Sequence, residues 1–99
     1  VFAAVLAVEM HLPACRSLKE KRSVLRPITD ALPHRFPVTV AEVGYQDLWQ
    51  RAGLGIVTVS ASAHKVDSIL DAVERYMWSR PDIEITSTAR HWIDTEKMG

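Results

Sequence analysis

The run Val1-Phe2-Ala3-Ala4-Val5-Leu6-Ala7-Val8-Glu9-Met10-His11-Leu12 decides the fold. At the two-residue period of a strand, Phe2, Ala4, Leu6, Val8 and Met10 form one face. Val1, Ala3, Val5 and Ala7 form the other, which ends in Glu9 and His11. A strand that is apolar on both faces is a central strand, so Val1–Leu12 is expected in the middle of a sheet. Pro13 closes it. The run lacks a basic flank and falls well short of the ~20 residues that span a bilayer.

The elements around this strand follow from periodicity and punctuation. Ser17 followed by Glu20 is a capping-box pattern, and a first helix is expected over Leu18–His34. Leu18, Val24, Leu25, Ile28 and Leu32 form its apolar stripe. Pro27 lies inside this pattern, removes one backbone donor and predicts a kink or a split there. Val38–Val43 and Leu54–Ser60 read as strands two and three, joined through a turn region at Gly44–Trp49. Ser62 caps a second helix over Ala63–Trp78, with Val66, Ile69, Leu70, Val73 and Met77 as its stripe. After a turn at Ser79–Asp82, Ile83–Ile93 is the fourth strand.

The order βαββαβ with short connections predicts a single α+β domain over residues 1–99, a ferredoxin-like sandwich with right-handed crossovers. Its four-stranded antiparallel sheet has the order 4-1-3-2, with both helices on one face. The other face then exposes Val1, Ala3, Val5 and Ala7, and an exposed apolar face calls for a partner. A homodimer through the sheet is the simplest arrangement.

Twelve basic and twelve acidic residues in 99 give a formal net charge of zero. That argues against a protein that coats nucleic acid nonspecifically, while leaving room for a local basic patch. Cys15 is the single cysteine, so no internal disulfide forms; this fits a reducing cytoplasm. The four histidines show no metal-ligand spacing, and neither a metal nor a cofactor is expected. Cys15 precedes a helix start beside Arg16, a setting that lowers a thiol pKa, with His11 as the nearest base. A third, orienting residue is not evident, so the expectation is a protein that is not an enzyme.

Two polar stretches carry the functional signal. Arg16, Lys19, Lys21, Arg22 and Arg26 gather at a helix N-terminus, where backbone donors also favour anions. They are candidates for phosphate or RNA-backbone contacts. The helix dipole disfavours cations at this end, so the cluster is a local misfit. Tyr45, Gln46, Asp47, Trp49 and Arg51 lie in the hairpin connection and combine aromatic rings with polar groups, a composition suited to base stacking or a protein contact. The plain structural alternative is a turn in which Asp47 binds local amides and Trp49 folds onto the sheet.

In this order, the Ser17–Arg22 helix start, the Ala41–Val43 strand and the Gln46–Ala52 segment resemble the YlxP-like family of bacterial proteins of unknown function. The resemblance spans nearly the whole chain. Tyr45 stands where members of that family vary. The resemblance implies a cytoplasmic, non-enzymatic factor binding RNA or ribonucleoprotein, with ribosomal RNA or the small ribosomal subunit as partner in maturation or translation. The alternative is a homodimeric scaffold or small-ligand regulatory module that uses the open sheet face.

Overall fold

The computed structural model describes residues 1–96. Its elements are β1 (Phe2–His11), α1 (Leu18–Arg35), β2 (Thr39–Gly44), β3 (Arg51–Ser60), α2 (Ala63–Trp78) and β4 (Glu84–Ile93). The strands form one antiparallel sheet in the order β2-β3-β1-β4. This is the expected order read from the opposite edge, and β1 is central as its two apolar faces require. Ala4, Leu6, Val8 and Met10 are buried under the helices, where they meet Leu25, Ile28 and Leu32 of α1 and Val66, Leu70, Val73 and Met77 of α2. Both helix starts are capped: Ser17 Oγ accepts from the Glu20 amide at 3.1 Å, and Ser62 Oγ from the Lys65 amide at 3.3 Å. Glu20 reaches back to the Arg16 amide at 2.7 Å, completing a reciprocal cap one residue earlier than the usual box.

Three details differ from the sequence-based expectation. Pro27 does not split α1, which runs unbroken from Leu18 to Arg35. Pro27 sits on the exposed side, so water can satisfy the carbonyl that loses its amide partner. Strand β3 begins three residues early, at Arg51, because it pairs with β1 as far as His11. The buried side of α1 includes Lys21 in place of Leu18, which is exposed.

Two local features hold the sheet edges. On β4, Arg90 points to the helix side and reaches three carboxylates of α2: Asp67 at 2.6 Å, Glu74 at 2.8 Å and Asp71 at 3.1 Å. These acids follow the i, i+4, i+7 spacing of one helix face. Burial works against the Arg90 charge, but the bonds to Asp67 and Asp71 and the fields of Asp71 and Glu74 outweigh it and raise its pKa. On the other edge, the β2–β3 register shifts between Glu42 and Gly44, and Gly44 faces Gly53. A Cβ at Gly53 would lie 3.2 Å from Gly44 Cα and 3.3 Å from Gly44 N, both backbone atoms that cannot swing aside.

Gly53→Ala is therefore expected to lower the free energy of unfolding by about 1–3 kcal/mol through overpacking, read from urea denaturation. Arg90→Ala should cost about 2 kcal/mol by the same assay, because three carboxylates then share one helix face without their cation.

Candidate functional site

The two polar stretches of the sequence meet in space through one side chain. Lys21 enters the protein interior between α1 and the β2–β3 connection, and only 2% of it is exposed. Its Nζ donates to the Tyr45 carbonyl at 2.7 Å and to the Leu48 carbonyl at 2.8 Å, and it pairs with Glu42 Oε2 at 2.9 Å. Two of the ammonium donors thus go to carbonyls, and the Glu42 carboxylate lies beside the group as its counter-ion, without the geometry of a hydrogen bond. Lys21 is thus corrected from a phosphate contact to an internal tie, since its ammonium group is buried away from any external anion. Its position was readable in principle: Lys21, Leu25, Ile28 and Leu32 follow i, i+4, i+7, i+11 along the buried stripe. The charge at residue 21 conceals that periodicity.

The tie shapes the connection. Tyr45 adopts φ 58°, a left-handed conformation uncommon outside glycine and asparagine. Its carbonyl accepts both from Lys21 Nζ and from the Leu48 amide at 3.0 Å, which closes a turn. The ring then lies on the open side of the sheet, where its hydroxyl donates to Glu9 Oε1 at 3.1 Å. Arg51 stacks its guanidinium 4.1 Å from the Tyr45 ring centroid and donates to the Tyr45 hydroxyl at 3.1 Å. It also approaches Glu9 Oε2 at 3.9 Å. Arg51 and Tyr45 therefore belong to a polar cluster at one end of the open face. Gln46 donates to the Glu42 carbonyl at 3.2 Å, and Asp47 is exposed at the tip of the connection. Trp49 does not fold onto the sheet; it is half exposed and, with Arg16, Leu48, Gln50 and Arg51, lines an open groove of about 680 Å³. Gln50 anchors the groove floor, donating from Nε2 to the Cys15 carbonyl at 3.1 Å and accepting from the Leu12 amide at 2.9 Å through its own carbonyl.

The remaining cations behave differently from Lys21. Arg16, Lys19, Arg22 and Arg26 are all exposed and have no ion-pair partner among the described residues. Lys19, Arg22, Ser23 and Arg26 line one shallow hollow along α1, with Asp30 at its far end. On α2, by contrast, Asp67, Asp71 and Glu74 gather around Arg90. The zero net charge thus hides one helix with unpaired cations and another whose acids are paired.

Cys15 is not an activated thiol. It is buried, which pushes its pKa up, and Glu20 and Asp82 add to the rise against a smaller opposing effect of Lys21. His11 points away onto the open face, where Nδ1 lies 3.3 Å from Glu84 Oε2. His91 is opposite Val5 on β1, far from His11 along the strand.

Lys21→Ala is expected to lower the unfolding free energy by about 3 kcal/mol, because two carbonyls and a carboxylate lose a buried cation. Limited proteolysis should then cut first within residues 45–50, where the wild-type chain resists. Cys15 should react with a thiol reagent at neutral pH only as fast as the protein unfolds, and denaturant should restore full reactivity.

Residues 3–90 match the family described as "Protein of unknown function (DUF503)". The chain is also 43% identical over 76 residues to "Uncharacterized protein YlxP" of Bacillus subtilis (strain 168), which covers 77% of this chain and 83% of that protein. No helix among the described residues is long and apolar enough to cross a membrane. With a family match across most of its length and a relative of this similarity, the chain belongs to the DUF503 family, which includes the YlxP protein.

Proposed function

We propose that this protein is a cytoplasmic, non-enzymatic RNA-binding factor whose contact surface is the exposed side of α1 together with the Trp49 groove. One observation carries the reading: Arg16, Lys19, Arg22 and Arg26 are exposed and unpaired among the described residues, while Lys21 on the same helix and Arg90 on β4 are taken up internally. Unpaired arginines along one helix form a track for a phosphate backbone. The groove adds a half-exposed indole beside Arg16, so a base stacked on Trp49 leaves its phosphate within reach of a guanidinium. Small-subunit ribosomal RNA is the partner that the family resemblance implies.

The test is binding of a fluorescent single-stranded RNA across a salt series, with sedimentation of the protein in lysate alongside small ribosomal subunits at low and moderate salt. Arg22→Glu with Arg26→Glu should weaken binding by about tenfold or more and reduce the salt slope by roughly 1.4, or about 0.7 for each phosphate no longer neutralised. Trp49→Ala should weaken binding by about 1–3 kcal/mol with the slope unchanged. Equal affinity in the double variant would rule out the α1 track.

A further inference from the structure

The sheet face opposite the helices carries Ala3, Val5 and Ala7 of β1, Val57 and Val59 of β3, and Ile93 of β4, with the imidazole of His91 set between Ala89 and Ile93. Val59 is 62% exposed and Ile93 44%, and the neighbouring Ala41, Gly55 and Ala89 keep the field flat. Three strands of ten residues and one of six, about 4.8 Å apart, give roughly 600 Å² in plan. That plan area lies at the lower end of the roughly 600–1,000 Å² that each partner supplies to a standard interface.

One end of this face is charged, and its order across the sheet identifies the occupant. His11 of β1 is paired with Arg51 of β3 on one side and with Glu84 of β4 on the other. The row therefore reads cation, imidazole, anion. Arg51 keeps 48% of its side chain exposed and Glu84 63%, so each has surface free for another group. A two-fold axis along β1 lays the β3 side of one copy over the β4 side of another. Arg51 then faces Glu84 of the partner subunit, twice, and the apolar fields largely coincide, while Glu9 and His11 meet their copies near the axis, each beside its own Arg51 or Glu84, and His91 lies over Val57 of the partner subunit. An axis across the strands would instead press this charged row onto the apolar end near Val59 and Ile93, burying charges without partners. Two sheets packed face to face keep their strands within about 30° of each other, as the axis along β1 requires.

We infer that the open face binds a second copy of this chain, sheet on sheet, with Arg51 paired to Glu84 of the partner subunit. The interface is isologous and leaves α1 exposed on both outer sides. This inference does not depend on RNA, and its test contains none.

The experiment is light scattering and sedimentation equilibrium of the full chain from low to high micromolar concentration. The wild type should have the mass of two chains. Val59→Asp should have the mass of one, with an unchanged circular dichroism spectrum. Arg51→Glu and Glu84→Arg should each weaken dimerisation by about tenfold or more, and the double swap should recover most of that affinity. Recovery separates the intersubunit pair from the contact of Arg51 with Tyr45 and Glu9, which the swap does not rebuild. A wild type with the mass of one chain throughout would overturn the inference and assign the face to a different protein. A dimeric Val59→Asp variant would overturn the choice of face, and failure of the double swap to recover would overturn the pairing.

Discussion

A single buried ammonium organises this small protein. Lys21 leaves the first turn of α1, crosses to the β2–β3 connection and meets two carbonyls and a carboxylate there. Burying a charge is costly unless it is paired and hydrogen-bonded, and here two carbonyls accept from the ammonium while a carboxylate balances its charge. The helix start and the hairpin connection are consequently one structural unit. The cation near a helix N-terminus, unfavourable for the dipole, is offset by bonds made outside the helix. The polar character of the connection follows as well, since its carbonyls must turn inward to meet Lys21 and its side chains are left facing outward.

That unit divides the surface. Beyond it on one side lie the unpaired cations of α1 and the Trp49 groove. Beyond it on the other lies the open sheet face, entered through Tyr45, Arg51 and Glu9. The α2 flank is electrostatically closed, because Arg90 draws Asp67, Asp71 and Glu74 together. A chain with no net charge thus presents one flank of unpaired cations, one flank of paired charges and one largely apolar face.

The fold was legible because its deciding signals are local and repeated. The alternation in Val1–Leu12, the Ser17 and Ser62 caps and the helical stripes each specify an element without help from the rest. The site was less legible. Charge alone does not tell a solvated lysine from a buried one, and Lys21 differs from Lys19 and Arg22 only in its phase on the helix. Cys15 misleads in a similar way: its neighbour Arg16 promises activation, while the packing that buries the thiol is long-range. Pro27 is misleading because its effect depends on whether the freed carbonyl meets water or protein. Arg90 was missed because its partners lie on another element, although the spacing of the three acids on α2 was visible.

The pair Gly44 and Gly53 sets more than a close approach of two backbones. The connection between β2 and β3 is too long to dictate how the strands align, so alignment has to come from within the ladder. Sliding by one residue would bring Ala52 or Leu54 against Gly44 and drive a side chain into backbone. The missing Cβ thus acts as a registration mark. It keeps Arg51 on the outer side of the sheet and Ala52 and Leu54 on the inner side, so the composition of both faces depends on a position that contributes no side chain to either.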